Sequence, residues 1–190
     1  MPKISAPTVA EHRVRQRSAL LGAATELLVS GGVNAVTPAA VGAAAGLSRP
    51  SVYQYFSSSA DILAAVIEDA FPRANARLAL ALDAVNGPAE RLDEYVRVTL
   101  LLAHEGAHRP AAALAAAQLP TECLARLHEL HHEQAAPFMQ ALDELGVPEL
   151  QITAQLLGGA LEAAMAAIES GASVDAVTER TLALVHTAIS

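Results

Sequence analysis

Residues 46–56, GLSRPSVYQYF, concentrate side chains that could contact a nucleic acid. The segment holds two of the three tyrosines of a chain in which aromatic residues make up only 3% of the sequence. Arg49, Gln54 and the hydroxyl groups offer donors and acceptors that match the base edges exposed in a DNA major groove. The segment therefore predicts a DNA-reading helix, with Val52 and Phe56 as the apolar residues that hold it to its domain.

The charge distribution agrees with this prediction. The chain up to Phe56 contains five Lys and Arg residues and two Asp and Glu residues, a net charge of +3, whereas the whole chain carries −8 and the remainder therefore −11. A basic N-terminal part joined to an acidic remainder indicates that a polyanion would bind the N-terminal part. Three arginines ahead of a helix can also be merely solvated, so charge alone leaves both interpretations open.

Composition predicts a helical protein. The 190 residues are 53% apolar, enough for one compact unit or a small domain joined to a larger one. Alanine is abundant, glycine and proline fall between periodic segments, and no strand alternation is evident. The N-terminus lacks the apolar run of a secretory signal. The long uncharged stretch of the chain contains helix-breaking residues, so it is not expected to span a membrane. Cys123 is the single cysteine. We expect a cytoplasmic protein that does not insert into membranes.

Three helices are predicted in the N-terminal part. The first covers about residues 10–29 and ends at the glycines that follow. Its buried stripe comprises Leu20, Leu21, Ala24, Leu27 and Leu28. The second begins after Thr37, whose hydroxyl can cap it, and ends at Gly46. The third, RPSVYQYF, begins after the cap Ser48 and tolerates Pro50 in its first turn. Two short helices around a tight corner predict a helix-turn-helix.

The helix-turn-helix interpretation assigns a direction to each side chain. Six residues are predicted to face inward: Ala40, Val41, Ala44, Leu47, Val52 and Phe56. Five are predicted to face outward or to lie at the rim: Arg49, Ser51, Tyr53, Gln54 and Tyr55. The alternative is that these three helices merely pack against the rest of the protein.

Residues 17–63 resemble the TetR family of bacterial transcriptional regulators, named for the tetracycline repressor. The matching elements are Arg17, LLGAATELLVSGG, VTPAAVGAAAGLSRPSVYQYF and ADIL, in order and spacing. The resemblance implies an all-α homodimer with two domains. The first, residues 1–58, would be a basic arm and a three-helix helix-turn-helix DNA-binding domain, and the second, residues 59–190, a helical effector-binding and dimerisation domain.

The resemblance also implies individual DNA contacts. Thr37 and Tyr55 would contact phosphates. Ser48, the cap of the recognition helix, is also assigned to the DNA-binding residues, beside those that would face the groove. Those residues are Arg49, Pro50, Ser51, Tyr53 and Gln54. The segment EHRVRQR resembles a basic approach to the first helix that touches the backbone or the minor groove, through Arg13, Arg15 and Arg17.

One position departs from the family pattern. Relatives often carry a lysine just before the fourth helix, where it binds a phosphate, but this chain reads SSSAD with Ser59 near that position. One phosphate contact would then be missing. The N-terminus of the fourth helix, with Ser58 or Ser59, could bind a phosphate oxygen instead.

The acidic remainder is predicted to be helical throughout. Helix breaks are expected at Pro72, residues 86–88, Pro110, Pro120, residues 146–148 and residues 170–173. These breaks leave about six more helices, and the fourth helix of the chain would run from about residue 59 to residue 71.

The last two helices predict a dimer interface. In residues 149–171 the polar side chains Gln151, Gln155, Glu162 and Glu169 form one narrow strip, and the rest of the circumference is apolar. Pairing both helices with their twofold mates would make a four-helix bundle. The residues assigned to it are Leu157, Gly158, Gly159, Ala163, Ala167, Val177, Leu184 and Val185. The alternative is a monomeric core.

The same part of the chain offers two kinds of ligand site. A small, largely apolar effector is predicted to bind among Tyr95, Leu102, Leu119, Leu127, Phe138, Met139 and Met165. Several side chains at helical spacing could instead hold zinc or a related ion. They are His104, His108, His128, His131 and His132, with Cys123, Glu129 and Glu133. Solvated or pocket-lining histidines are the simpler interpretation, so neither a metal nor another cofactor is predicted.

No enzyme signature is present. The sequence has no glycine-rich phosphate loop, no nucleophile elbow and no paired-carboxylate motif. We therefore expect a ligand-responsive repressor that a small apolar effector releases from a palindromic double-stranded operator. The alternatives are a metal-binding helical enzyme, a metal-responsive regulator that uses the histidines, and a structural adaptor that has lost DNA binding.

Overall fold

The computed structural model describes residues 9–115 and 117–189, and every regular element within them is helical. Nine α-helices and one short 3-10 helix, Val33–Ala35, follow one another in this described part. The α-helices are α1 Val9–Gly31, α2 Pro38–Ala44, α3 Arg49–Val52, α4 Ser59–Asp83, α5 Pro88–His104, α6 Arg109–Ala115, α7 Thr121–Glu144, α8 Leu150–Glu169 and α9 Val174–Ala188. The predicted all-α fold is confirmed. The first eight residues of the predicted basic arm, including Lys3, lie outside the described residues.

The chain divides into two compact units. The first comprises Met1–Asp69 with Pro110–Ala125, and the second comprises Ala70–Arg109 with Arg126–Ser190. This division shows which residues pack together, and it does not assign a function to either unit. The predicted functional boundary between residues 58 and 59 stays a prediction.

The first unit has its core on one face of α1. Leu20, Ala24 and Leu28 are fully buried, as the stripe predicted, and Leu27 is half-buried. Further apolar residues of this unit are also buried: Val36, Val41, Val52, Phe56, Ile62 and Val66. The residues predicted to anchor the recognition helix, Val52 and Phe56, therefore belong to this core.

The predicted helix break at Pro72 is wrong. Residues 59–83 form one helix, and Pro72 lies inside it. A proline removes one backbone hydrogen bond from a helix and usually kinks or ends it. Here the residues around it, Phe71 and Ala74 and then Leu78, are buried along one side of α4. Burial of that side stabilises the helix enough to carry it through the proline.

The second unit is built around α5, α8 and α9, which pack against one another. Its core cluster takes residues from α4, α5, α7, α8 and α9, including Leu92, Tyr95, Leu142, Met165 and Val185. Ion pairs on the surface of this unit join Arg77 to Glu105 and Arg91 to Glu144. Within the described residues, no helix is long and apolar enough to cross a membrane.

Candidate functional site

Helix α2 begins as its sequence predicts. The N–H of Ala40 donates to Oγ1 of Thr37 at 3.2 Å, so Thr37 caps the helix. Pro38 occupies the first turn, where a missing N–H costs nothing. The capped end leaves Thr37 exposed, as a phosphate contact would require.

The turn from α2 to α3 is held by two glycines. Gly46 adopts a positive φ of 68°, and its N–H donates to the carbonyl of Ala43 at 3.2 Å, while the N–H of Leu47 donates to the carbonyl of Gly42 at 2.8 Å. This pair of bonds is a Schellman motif, which needs a left-handed residue at the position of Gly46.

Gly42 allows the two helices to approach closely. A Cβ at this position would lie 2.9 Å from the carbonyl oxygen of Leu47 and 2.9 Å from Cγ2 of Val52. Both distances are shorter than a carbon atom can accept without movement of its neighbours. The spacing of the helix-turn-helix therefore depends on a residue without a side chain at position 42.

Helix α3 is capped by Ser48 and is shorter than predicted. The N–H of Ser51 donates to Oγ of Ser48 at 3.4 Å, and the two hydroxyls lie 2.8 Å apart. The helix ends at Val52 instead of Phe56. The N–H groups of Gln54 and Tyr55 then bond to carbonyls three residues back, at 3.2 and 2.9 Å, so the chain tightens into turns.

Two of the predicted base-reading side chains form a pair. Nη2 of Arg49 donates to the phenolic oxygen of Tyr53 at 3.1 Å, and the guanidinium carbon lies 5.6 Å from the centroid of the Tyr53 ring. Both residues are exposed, Tyr53 by 45%. A guanidinium held in this way keeps further N–H groups to donate to the two acceptors of a guanine.

Burial separates the inward and outward residues with one error. Val41, Val52 and Phe56 are buried, Ala40 and Leu47 are half-buried, and Ala44, which was predicted to face inward, is exposed. Successive helical residues are rotated by about 100°. Because Gly42 occupies the side of α2 that touches α3, Ala44 is turned away from it. Pro50 and Gln54 are exposed, and Ser51 and Tyr55 are half-buried.

Tyr55 binds α1 in the structure. Its hydroxyl donates to Oε1 of Gln16 at 2.7 Å, and the guanidinium carbon of Arg13 lies 5.9 Å from its ring centroid. A phosphate oxygen needs a donor, and a tyrosine has one O–H to donate. The predicted phosphate contact by Tyr55 would therefore have to replace its bond to Gln16.

The basic side chains of α1 are exposed around this position. Arg13, Arg15 and Arg17 are all exposed, and the guanidinium carbon of Arg17 lies 5.8 Å from the ring centroid of Phe56. The structure therefore brings two of the three arginines beside the turn that follows α3. It places Arg15 on α1 with its side chain open to solvent.

A carboxylate accepts the hydrogen bonds at the start of α4. The N–H of Ser57 donates to Oδ2 of Asp61 at 2.9 Å, its hydroxyl donates to the same oxygen, and the N–H of Asp61 donates to Oγ of Ser58 at 3.1 Å. The hydrogen bonds from Ser57 lower the pKa of Asp61 below its ordinary value. The anion disfavours a second anion, so a phosphate gains less from Ser58 or Ser59 than a free helix end would offer.

Sequence reasoning missed three residues that shape this region, namely Gly42, Gln16 and Asp61. Gly42 carried a signal, because a glycine inside a seven-residue helix of alanines lowers helix propensity without an evident reason. The bond of Gln16 to Tyr55 spans 39 positions and has no local signature. Asp61, three residues after Ser58, matches the spacing of a capping box.

The comparisons with known proteins agree with this geometry. Residues 20–66 match the family model described as bacterial regulatory proteins, tetR family. That segment begins in α1, contains α2 and α3 and ends in α4. Residues 20–66 therefore form a DNA-binding domain of the tetR family of bacterial regulatory proteins. The family consists of regulators, which confirms the prediction that this chain is not an enzyme. A comparison with curated proteins gives no significant match.

Solved structures match over most of the chain. A TetR-like transcriptional regulator from Rhodococcus sp. RHA1 is 21% identical, with a TM-score of 0.80 over 95% of this chain and 97% of that one. FadR from Bacillus subtilis, solved in complex with stearoyl-CoA, is 17% identical, with a TM-score of 0.74 over 89% and 97%. The superantigen PfiT is 23% identical, with a TM-score of 0.76 over 90% and 95%. These likenesses show the fold, and the regulatory assignment depends on the family model.

The residues predicted to bind the effector are brought together in part. Tyr95, Phe138 and Met165 belong to the core of the second unit, and Met139 packs against that core. The ring centroids of Tyr95 and Phe138 lie 5.2 Å apart. Burial raises the pKa of Tyr95 to about 12. Leu102 and Leu127 are buried in the same unit but do not belong to this cluster. Leu119, in the first unit, is half-buried between α6 and α7.

Helices α8 and α9 expose apolar surface. Ile152 is 56% exposed, Leu156 70% and Leu184 51%. An open groove of about 480 Å³ lies between the two helices, lined by Ala160, Ala163, Ala176, Val177 and Leu184 among others.

Not all residues assigned to the dimer interface are at this surface. Gly159, Ala163 and Leu184 are exposed, and Gly158, Ala167 and Val177 are half-buried. Leu157 and Val185 are only 4% and 2% exposed and belong to the core of their own unit. They support the surface from beneath and have little area left to give to a partner.

The histidines do not form a metal site in the described part of the chain, where no group of three His, Cys, Asp or Glu side chains is arranged to hold an ion. Glu129 and Glu133 both bind Arg126, at 3.0 and 3.7 Å. His104, His128 and His132 are exposed. Cys123 is buried, and burial raises the pKa of its thiol.

Proposed function

We propose that this TetR-family protein is a repressor that binds a near-palindromic operator as a homodimer and leaves it when a small, largely apolar effector binds. The observation that carries the proposal is the exposed Arg49–Tyr53 pair on a capped α3, inside the segment that matches the family model. A paired guanidinium at the start of a recognition helix suits the reading of a guanine in the major groove.

The proposal divides the DNA contacts into two kinds. Arg49 and Tyr53 read bases, with Pro50, Ser51 and Gln54 beside them in the groove. Contacts to the backbone come from Thr37, Ser48, Tyr55 and Ser59 and from the arginines of α1, Arg13, Arg15 and Arg17. Residues 1–58 then form the functional DNA-binding domain. The exposure of Arg49, Tyr53, Gln54 and Thr37 supports this division.

The proposed dimer uses α8 and α9 of the domain formed by residues 59–190. Exposed Ile152, Leu156 and Leu184 support it, because large apolar side chains gathered on one surface mark an interaction site. A twofold axis through these helices pairs each with its own copy. Two DNA-binding domains related by that axis require two half-sites, about one helical turn apart or a multiple of it.

The effector is proposed to bind in the second unit beside Tyr95, Phe138 and Met165. These side chains pack against one another, so a ligand has to displace them and thereby favours a different conformation. To move the protein from mostly bound to mostly released, it must favour the released state by about 5 kcal/mol. Since the operator lies in the cytoplasm of a bacterium, the proposal includes a cytoplasmic location.

Gel shifts on the region upstream of the protein's own gene test the proposal. We expect a saturable complex with that duplex and a weaker one with a scrambled duplex. A thermal-shift screen then supplies binders, which are added to the complex. If none of the binders changed the DNA affinity, the release mechanism would be wrong. Metal analysis of the purified protein in the same experiment tests the alternative of a metal-responsive regulator.

A further inference from the structure

A group of polar side chains lies in the second unit among residues that the proposed DNA contacts do not use. His108 precedes α6, His131 lies on α7 and Glu169 ends α8. Nδ1 of His108 and Oε1 of Glu169 are 3.5 Å apart. The ring of His131 meets the ring of Phe71 edge-on, with centroids 5.0 Å apart.

Three polar atoms in this unit are buried without a hydrogen-bond partner among the described residues. They are Oδ1 of Asn75, Nδ1 of His108 and Oε1 of Glu169. The last two are at ion-pair distance but are not in hydrogen-bond geometry. Asn75 lies one helical turn after Phe71, on the side of α4 that carries the contact to His131. Native structures leave few such atoms unsatisfied, because each one costs free energy.

The chemistry of the group favours a donor over an anion. An ionised Glu169 can only accept hydrogen bonds. Burial, and then the proximity of His108, lower the pKa of His131, so His131 stays uncharged at neutral pH. The negative charge of Glu162 acts in the opposite direction and raises the pKa of His131. The nearest basic residue in sequence, Arg109, has its side chain over the turn at Gly106.

We propose that the polar end of the effector is a hydrogen-bond donor, an amine or a hydroxyl group, and that it binds to Glu169 and His108 with its apolar body directed into the core of the second unit. This inference rests on the proposed function and narrows its ligand class. The proposed head group differs from the ligand in the FadR structure, stearoyl-CoA, which carries anionic phosphates.

Calorimetry with matched probes tests the inference on the full-length protein. The probes are n-octylamine, 1-octanol and sodium octanoate at neutral pH, which share one alkyl length and differ in the head group. We expect octylamine and octanol to bind saturably, one per protomer, and at least about tenfold more tightly than octanoate, since a hydrogen bond to a charged group is worth that much. Equal or tighter binding of octanoate, or no binding by any probe, would overturn the inference.

Two variants locate the head group. Glu169→Gln keeps the shape and removes the charge, so octylamine should lose about tenfold in affinity and octanoate should lose nothing. Glu90→Gln, an exposed glutamate of the same unit, is the matched control and should bind all three probes as the wild type does. His108→Gln is the second variant if circular dichroism shows that Glu169→Gln does not fold. Variants indistinguishable from Glu90→Gln would overturn the site.

Gel shifts with the same probes separate this inference from the proposed function. Probes that bind with the expected preference and release the operator support both. Probes that bind with that preference but leave DNA affinity unchanged support the polar site and contradict the release mechanism.

Discussion

Replacement of Gly42 by alanine tests whether the helix-turn-helix depends on a residue without a side chain. The new Cβ would lie 2.9 Å from the backbone oxygen of Leu47 and 2.9 Å from Cγ2 of Val52. Neither neighbour is the free end of a flexible side chain, because Leu47 contributes backbone and Val52 is fully buried. The turn or α3 therefore has to move.

Two opposing effects determine the change in the free energy of unfolding for Gly42→Ala. Overpacking of this kind costs about 1–3 kcal/mol. Alanine also favours the helical conformation over glycine by about 1 kcal/mol. The expected net change for Gly42→Ala is thus a destabilisation of roughly 0–2 kcal/mol.

Gly22→Ala in α1 provides the control, because a Cβ there meets nothing within 4 Å. That variant should gain up to about 1 kcal/mol from helix propensity alone. The difference between the two variants isolates the overpacking and should be about 1–3 kcal/mol.

Urea denaturation followed by circular dichroism measures the free energy of unfolding of both variants. Hydrogen exchange of the amides in α2 and α3 shows where stability is lost. Operator affinity should fall in Gly42→Ala and not in Gly22→Ala, because Val52 holds the recognition helix. Equal stability of the two variants, with wild-type DNA affinity in both, would refute the argument.

Three further predictions concern DNA binding and assembly. Arg49→Ala should cost about 1–3 kcal/mol of binding free energy on the operator and much less on scrambled DNA. Arg15→Ala should weaken binding to both DNAs alike. In titrations at several salt concentrations, it should also lower the slope of log affinity against log salt concentration by about one unit. Equal loss on both DNAs for Arg49→Ala would assign it to the backbone. Ser59→Lys should tighten binding to any duplex and raise the salt slope by about one unit, and an unchanged slope would contradict a missing phosphate contact. Gly159→Leu should dissociate the dimer, as measured by light scattering. Within the protomer a Cβ at this position meets nothing within 4 Å, so only a partner subunit could clash with the new side chain. An unchanged dimer would show that Gly159 is not in the interface.

The features that sequence predicted well are those determined by a few neighbouring residues. Thr37 and Ser48 cap their helices because a hydroxyl reaches an N–H three residues on, whatever the rest of the chain does. Gly46 ends α2 because it alone in that turn adopts a positive φ without strain. The stripe of α1 repeats at helical spacing, and four of its five residues are buried as expected.

The features that sequence missed depend on residues far apart in the chain. Pro72 predicts the end of a helix, and burial of Phe71 and Leu78 overrides that local signal. Periodicity predicts that Ala44 faces inward, because it cannot show that Gly42 makes the contact with α3. A seven-residue helix has too few apolar positions to fix its rotation, so the tertiary contact decides it.

The effector region also depends on contacts between residues far apart in the chain. Apolar side chains that line a ligand pocket and apolar side chains that fill a core have the same sequence pattern, and Tyr95, Phe138 and Met165 do pack as a core. What separates the two cases is a polar group that a core would not tolerate. Oε1 of Glu169 and Nδ1 of His108 are such groups, since they lie 3.5 Å apart without forming a hydrogen bond and have no other hydrogen-bond partner among the described residues. Their proximity depends on the contact between the residue before α6 and the last residue of α8, which are 61 positions apart. No local pattern encodes that contact, so the head group of the ligand can be inferred only from the folded chain.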